Sequence, residues 1–208
     1  PQSIANMMTK VQWGLGMLQT KRRFFGNIVG HAKGVSDPSS LSSWTAEAFD
    51  ESLDWKRIAK FKEMWGGKVI LKGVMDAEDA RNALSVGADA IVVSNHGGRQ
   101  LDGALSSIRA LPSIVDAVGD KIEVHMDSGI RSGQDVLKAL SLGAKGTYIG
   151  RAFVNGLGAM GEAGVTKALE VIQKELITTM GLIGERNIDD LGRHNLLIPK
   201  GFEGDWVD

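Results

Sequence analysis

The stretch SVGADAIVVSNHGGRQLDG, Ser85–Gly103, carries the clearest structural signal in the chain. A helix end and a Gly-Ala turn lead into an uninterrupted apolar run, and polar residues follow at once. Apolar runs without polar alternation are typical of strands that are covered on both faces of a parallel sheet. The phrase SLGAKGTYIG, Ser141–Gly150, repeats the same order. The two stretches therefore predict repeated βα units in an α/β fold.

The alternation of helix and strand continues on both sides of this stretch. Four short strands are predicted, at Val69–Lys72, Ala90–Ser94, Ile122–Met126 and Thr147–Ile149. Helical periodicity predicts helices at Asp54–Trp65, Asp76–Val86, Ser106–Val118 with an interruption near Pro112, Gln134–Leu142 and Glu162–Met180. Strand spacings of about 20–30 residues fit βαβ crossovers. Four βα units are visible, whereas a complete (β/α)8 barrel has eight units over about 250 residues.

The composition of the 208 residues excludes several classes of protein. Hydrophobic residues make up 43% and charged residues 24%, which is the balance of a globular domain. A net charge of −1 argues against a nucleic-acid partner, and the absence of cysteine excludes disulfide scaffolds and Cys-ligated zinc. No apolar run approaches the ~18 residues of a membrane span, and no metal-ligand spacing is recognisable.

Charge is unevenly distributed along the chain. Residues 1–36 hold five basic residues and no acidic residue, together with Trp, Phe, Leu and Met side chains. Residues 4–25 therefore suit a helix at a membrane interface, and they equally suit a helix packed on its own protein or on a sister subunit. We divide the chain into a basic and apolar loop region at 1–43, an α/β part at 44–184 and an irregular tail at 185–208.

Polar residues follow each of the four predicted strands. Lys72, Ser94–His96, Asp127 and Gly150–Arg151 stand at the four carboxyl ends. In an α/β barrel these ends open onto one mouth, where active sites are built. The sequence therefore predicts one shared site at this edge of the sheet.

Two loops at this edge combine glycine with arginine. They are DSGIRSG, Asp127–Gly133, and GTYIGR, Gly146–Arg151. Small residues allow backbone N–H groups to approach an anion, and Arg131 and Arg151 supply positive charge. The loops predict a phosphate site; the alternative is that the glycines only make tight turns and the arginines are solvated.

His96 and Arg99 combine a proton acceptor with a group that binds carboxylates. An imidazole accepts a proton near neutral pH, and a guanidinium grips a carboxylate with two parallel hydrogen bonds. Asp102 is close enough in sequence to orient the imidazole. Lys72, leaving an apolar strand, needs an anionic partner and suits a Schiff base, a phosphate or an anionic cofactor. The pattern indicates a small acid as the substrate.

The motif SNHGGRQLDGA, Ser94–Ala104, resembles the active-site motif of the FMN-dependent L-2-hydroxy acid oxidase and dehydrogenase family, which includes glycolate oxidase and mandelate dehydrogenase. VILKGV, HMDSGIRSGQDVLKALSLGA, GTYIGRA and GEAGV are similar to the family in the same order, roughly from Trp44 to Met180. NMMTKVQWGLGML and KGVSDPSSLSSWTAEAFD resemble its bacterial L-lactate dehydrogenase-like members. The resemblance implies a (β/α)8 TIM barrel of which this chain supplies the C-terminal half, strands 5–8.

The resemblance also implies an activity and roles for single residues. The activity is oxidation of a small L-2-hydroxy acid, with L-lactate favoured, to the 2-oxo acid. His96 is the expected base, Arg99 the expected carboxylate clamp, and Lys72 the cation beside the flavin, where negative charge gathers on reduction. The expected FMN contacts are Lys72, Ser94, Asp127, Gly129, Arg131, Gly150 and Arg151. Ser128 stands where glycine is commoner, and it should matter little if its backbone stays in an ordinary region.

The family's first four strands have no counterpart in this sequence. That half supplies two tyrosines near the substrate and the aspartate that pairs with the base, and Asp102 is not that aspartate. The implied partners are a complementary N-terminal barrel fragment and sister subunits in a tetramer. The implied location is the cytoplasm, with a peripheral contact to the inner membrane as an option.

Several alternatives stay open at this point. A non-catalytic half-barrel that binds phosphate or flavin is one, because half of the site is missing. Another phosphate-binding barrel enzyme, such as a different FMN barrel, is a second, and the motif SNHGGRQLD argues against it. The electron acceptor is oxygen in an oxidase and a quinone or cytochrome in a dehydrogenase.

Overall fold

The computed structural model describes residues 9–20 and 52–202, together with Gly26, Ile28, Trp44, Glu47, Ala48 and Asp50. The chain divides into two compact units, Pro1–Leu53 and Asp54–Asp208. In the first unit, helix α1 (Val11–Gln19) lies inside the segment 4–25, for which a membrane-interfacial helix and a helix packed on protein were both left open. The rest of that segment, and most of the predicted loop region 1–43, lie outside the described residues.

The second unit alternates helices and parallel strands. Its elements are α2 (Trp55–Trp65), β1 (Ile70–Val74), α3 (Ala77–Ser85), β2 (Ala90–Val93), α4 (Ser107–Val118), β3 (Glu123–Met126), α5 (Gly133–Ser141), β4 (Gly146–Thr147), α6 (Arg151–Met160) and α7 (Glu162–Ile183). The strands form one sheet in the order β1-β2-β3-β4, and every pair is parallel. The four predicted βα units are therefore confirmed, and all four carboxyl ends lie at one edge.

Local sequence signals account for where several helices begin and end. The carboxylates of Asp54 and Asp76 accept backbone N–H groups at the first turns of α2 and α3. At α5, Ser132 and Asp135 exchange side-chain and backbone hydrogen bonds as a capping box. Such caps satisfy N–H groups that the helix itself leaves without partners. Gly66, with φ 65°, ends α2 in the left-handed region that favours glycine.

The hydrophobic core lies around β2 and the helices that cover it. All four residues of β2 are buried, which explains why the run AIVV shows no polar alternation. Ile91 packs in one cluster with Leu111 and Ile114 of α4 and Val124 of β3, and these side chains are almost fully buried. Burying an isoleucine of this kind contributes about 1.5–3 kcal/mol. The core therefore anchors the strands whose ends carry the predicted site.

Helix α4 corrects the predicted interruption at Pro112. The helix runs without a break from Ser107 to Val118, and Pro112 is fully buried inside it. Proline removes one backbone hydrogen bond, which is why an interruption was predicted. Leu111 and Ile114 on either side are also fully buried. Because most helix stability in proteins comes from packing of the apolar face, the helix continues through the proline.

Two further differences lie between β3 and α7. Strand β4 covers only Gly146–Thr147, earlier and shorter than the predicted Thr147–Ile149. Helix α6 was not predicted, because glycines such as Gly156 lower helix propensity. A Cβ atom on Gly156 or on Gly164 would collide with the backbone of the other residue. The glycines therefore permit close approach of α6 and α7, which the sequence pattern does not reveal.

The described part of the predicted tail, residues 185–202, consists of loops and two short 3-10 turns, Ile188–Asp190 and Arg193–Asn195. Arg109 of α4 donates hydrogen bonds to the carbonyls of Gly201 and Phe202, and this joins the tail to the α/β part. Within the described ranges, no helix combines the length and apolar content that a membrane crossing requires.

Candidate active site

The carboxyl ends of the strands and the loops after them enclose a cavity of about 470 Å³. Eight of the nine predicted site residues line it: Lys72, His96, Arg99, Asp127, Gly129, Arg131, Gly150 and Arg151. The ninth, Ser94, is buried at the end of β2 and touches Lys72. Since parallel strands present their ends at one edge, residues far apart in sequence meet here.

Lys72 lies in the middle of β1 rather than at its carboxyl end as predicted, because the strand continues to Val74. Its side chain contacts two partners at the ends of β2 and β3. Its Nζ lies 2.8 Å from Asp127 Oδ2 and donates to Ser94 Oγ at 2.8 Å. Its side chain is 50% exposed, because β1 is an edge strand of the described sheet. The expected need for an anionic partner is met by Asp127, which holds the ammonium at the cavity wall.

The carboxylate of Asp127 accepts hydrogen bonds from several side chains at the cavity. Burial opposes its ionisation, but hydrogen bonds from Lys72, Ser94 and Ser128 outweigh that effect and hold the pKa of the Asp127 carboxyl below its usual range. The carboxylate is thus ionised at neutral pH and keeps Lys72 in place.

Replacing Asp127 by asparagine is expected to weaken the acid dependence of stability. A carboxyl group whose pKa is lower in the folded state stabilises the fold above its unfolded pKa of about 3.9 and loses that contribution as the pH falls through the folded value. Urea unfolding of the wild type should therefore lose more stability below about pH 4 than the Asp127→Asn variant does. Lys72→Met should also flatten the dependence, because it removes the principal donor. Identical slopes in all three proteins would contradict the prediction.

His96 begins a 3-10 turn, His96–Gly98, directly after β2. Its φ of 57° lies in the left-handed region, which costs a non-glycine residue about 1–2 kcal/mol. Gly97 and Gly98 also have positive φ, which glycine adopts freely. The turn is held by hydrogen bonds from His96 N to Ser94 Oγ at 3.2 Å and from Gly97 N to Asn95 Oδ1 at 3.0 Å. These bonds fix the position from which the imidazole leaves the strand end.

Arg99 lies beside the imidazole of His96. The distance from Arg99 Nη1 to His96 Nε2 is 3.5 Å, and both side chains are exposed on the cavity. No hydrogen bond joins the described Asp102 to His96, so the structure does not support Asp102 as the group that orients the imidazole. The structure brings His96 and Arg99 together at the cavity, and their roles as proton acceptor and carboxylate-binding group stay predictions.

The loops after β3 and β4 give this cavity a set of groups that fits a phosphate. Gly150 precedes the first turn of α6 without any side-chain cap, which leaves the N–H groups of that turn for another acceptor. Gly129 has φ 86°, and no atom lies within 4 Å of the place where a Cβ would stand. Arg151 Nη2 donates to the Gly97 carbonyl at 3.0 Å. Among the described residues the Arg131 guanidinium has no hydrogen-bonding partner. This set of donors suits the phosphate of FMN.

Ser128 departs from the expectation formed from the sequence. Its φ is 73°, so its backbone is not in an ordinary region and the condition for a harmless replacement of glycine is not met. Its hydroxyl accepts the N–H of Gly97 at 3.0 Å and donates to Asp127 Oδ1 at 2.8 Å. The sequence offered only one hint of this, a polar residue between Asp127 and Gly129 in a turn that favours glycine.

A larger cavity of about 960 Å³ is lined partly by the tail, and it shares Gly97, Ser128, Gly129 and Arg151 with the smaller cavity. Its walls include Ile108 and Leu142 and, from the tail, Leu196, Ile198 and Phe202. Lys72, His96, Arg99 and Arg131 do not line it, so we assign the candidate active site to the smaller cavity. Among the described residues, no group of three or more His, Asp or Glu side chains is placed to hold a metal ion.

Comparison with known proteins gives a family match and several relatives of known name. A model of the family "FMN-dependent dehydrogenase" matches residues 1–198. The L-lactate dehydrogenase of Azorhizobium caulinodans is 46% identical over 195 residues, which cover 93% of this chain and 51% of that protein. The L-lactate dehydrogenase of Caulobacter vibrioides is 48% identical over 179 residues, 85% of this chain and 46% of that protein. The chain thus spans about half the length of these curated relatives.

Solved structures show the same partial match. The monotopic membrane protein (S)-mandelate dehydrogenase is 36% identical with a TM-score of 0.76, over 80% of this chain and 44% of that one. A flavocytochrome b2 mutant with pyruvate bound is 33% identical with a TM-score of 0.71, over 83% and 47%. The family match and these likenesses confirm the predicted fold. The chain belongs to the FMN-dependent dehydrogenase family, and its four parallel strands are part of that family's (β/α)8 barrel.

Proposed function

We propose that this chain supplies the C-terminal half of an FMN-dependent enzyme that oxidises a small L-2-hydroxy acid to the 2-oxo acid. The convergence of His96, Arg99, Lys72, Arg131 and Arg151 on one cavity carries the proposal. L-Lactate is the favoured substrate, because relatives named L-lactate dehydrogenase are 44–48% identical to this chain.

At the substrate end, Arg99 binds the carboxylate and His96 accepts a proton. The contact between their side chains places the two groups within reach of one small 2-hydroxy acid. The geometry fits removal of the hydroxyl proton and removal of the α-proton equally. Binding the carboxylate at Arg99 orients the reacting carbon toward the imidazole, which is the main contribution of a clamp of this kind.

The proposed FMN ligands are Asp127, Gly129, Arg131, Gly150 and Arg151 for the ribityl phosphate, with Ser94 and Lys72 toward the flavin ring. FMN, when bound, supplies the acceptor for two electrons. The ammonium of Lys72 stabilises negative charge that gathers at this end of the site. Asp127 and Ser94 hold that ammonium in place through the hydrogen bonds described above.

A non-catalytic half-barrel is the second candidate function. It is favoured by the share of about half that this chain covers of its relatives. Apolar side chains of α7 are also exposed in the described part of the chain: Leu169, Val171, Ile177 and Leu182. In the leading proposal a complementary N-terminal half-barrel is the partner that completes the site. Tetramer formation, a peripheral membrane contact of residues 4–25 and a cytoplasmic location stay predictions.

The visible absorption spectrum of the purified protein, read beside its intact mass, tests the proposal. We expect flavin bands, a second polypeptide of comparable mass, and loss of the flavin colour when L-lactate is added without oxygen. Glycolate and mandelate, added separately, define the acid that is preferred. Flavin that stays oxidised with every acid, in a sample holding only this chain, would instead support the non-catalytic half-barrel.

A further inference from the structure

We propose that Ser128 is a positioning residue that holds the His96 turn in its left-handed conformation. The turn is defined here as His96–Gly98. The inference rests on the proposed function, because it adds a residue to the same site, and it concerns the placement of His96 rather than the chemistry. Ser128 does not touch His96; it acts through the N–H of Gly97, the next residue of the turn.

A closed circuit of hydrogen bonds surrounds the base of the turn. His96 N and Lys72 Nζ both donate to Ser94 Oγ, and Lys72 Nζ also binds Asp127 Oδ2. Ser128 donates to the other oxygen of Asp127 and accepts the N–H of the turn's second residue. The circuit joins the ends of β1, β2 and β3, so the position of the turn depends on every member.

Ser128 is the member of the circuit that ties the turn to a neighbouring strand. Asn95 Oδ1 also accepts the Gly97 N–H, but Asn95 belongs to the same loop as the turn and is bonded to Leu105 and Ser107 further along the chain. Arg151 holds the Gly97 carbonyl through a long, exposed side chain. The Ser128 hydroxyl lies at the end of β3, 31 residues along the chain from Gly97, and it donates its hydrogen to Asp127. Its lone pair is therefore oriented toward Gly97.

The conformation of Ser128 supports a role for the hydroxyl rather than for the backbone. A serine with φ 73° is strained, and glycine would adopt the same turn without cost. The strained residue nevertheless makes two hydrogen bonds of ordinary length, one to Gly97 of the turn and one to Asp127. Strain at a site that satisfies a specific geometry is typical of preorganised active sites.

The first experiment measures turnover in the enzyme formed by this chain and a complementary N-terminal half. Ser128→Ala and Ser128→Gly should each lower kcat for L-lactate by about 3- to 10-fold, with a smaller change in KM. Glycine relieves the strain and lacks the hydroxyl, so a loss in both variants assigns the effect to the hydroxyl. Wild-type kcat in Ser128→Gly would overturn the inference. Ser113→Ala, which removes a hydroxyl bonded within α4, is the matched control and should keep wild-type kcat.

The second experiment measures amide hydrogen exchange in this full chain and needs no turnover. The Gly97 amide should exchange roughly 3- to 10-fold faster in both Ser128 variants, since one of its acceptors is lost. The Gly143 amide, bonded to Leu140 outside the site, should be unchanged. An unchanged Gly97 amide, or equal acceleration of both amides, would overturn the inference. If the wild type fails to oxidise L-lactate, the proposed function fails, and the exchange data still decide the role of Ser128.

Discussion

Replacing His96 by glutamine is expected to lower turnover of L-lactate by about 10²- to 10⁴-fold, with FMN affinity almost unchanged. Glutamine keeps much of the size and polarity of the side chain but cannot accept the substrate proton. His96 lies at the cavity beside Arg99 and is not itself among the predicted phosphate ligands. The loss should therefore fall on kcat, whereas carboxylate and cofactor binding persist. Steady-state kinetics and flavin titration of the reconstituted enzyme measure the two effects.

The same substitution at His194 provides the matched control. His194 lies in the tail, where its Nε2 is 3.4 Å from Glu185, and it does not line the cavity. His194→Gln should keep the wild-type kcat. If His96→Gln turns over L-lactate at the wild-type rate, His96 is not the base and the proposed mechanism is wrong.

Replacing Gly133 by valine should have the largest effect on folding, a loss of more than about 3 kcal/mol. A Cβ on Gly133 would collide with the backbone of Leu176 and with the carbonyl of Ile172 in α7. The Gly133 N–H also donates to Glu175 Oε2 at 2.9 Å, which fixes the approach of α5 to α7. Backbone atoms of a packed helix have no rotamer into which they can withdraw. Urea unfolding followed by circular dichroism measures the loss.

Gly158→Ala is the control for this substitution. Gly158 lies inside α6, and no atom lies within 4 Å of its expected Cβ position. Alanine there should stabilise the protein by about 0.5–1 kcal/mol, because glycine has poor helix propensity. A Gly133→Val protein as stable as the wild type would show that α5 and α7 are not packed as described.

Much of the site was predictable because its geometry follows from a simple property of parallel sheets. His96 and Asp127 follow strands that the apolar runs already indicated, and Lys72 lies within another. The carboxyl ends of parallel strands meet at one edge of the sheet. The likeness of Ser94–Ala104 to a family motif then implied roles for them. Those roles stay predictions, but the meeting of the residues in one cavity is what the structure shows.

The differences between the predicted and the observed helices have one physical cause. Pro112 was expected to interrupt α4, and α6 was not recognised, because local propensity was the available guide. In both cases tertiary packing outweighed local propensity. The buried neighbours of Pro112 stabilise α4 on both sides of the proline. Gly156 allows α6 to approach α7 closely. The positive φ of Ser128 was not predicted for a related reason, because the backbone angle of a residue cannot be deduced from its residue type.

The amino-acid sequence by itself determined the α/β alternation, the helix caps and the residues available at the strand ends. These depend on periodicity and on neighbours within a few positions of the chain. Only the tertiary structure decided that Asp127 pairs with Lys72 and that Ser128 reaches Gly97. Those contacts join residues on different strands, and their geometry depends on the sheet register and on backbone angles that no local pattern encodes.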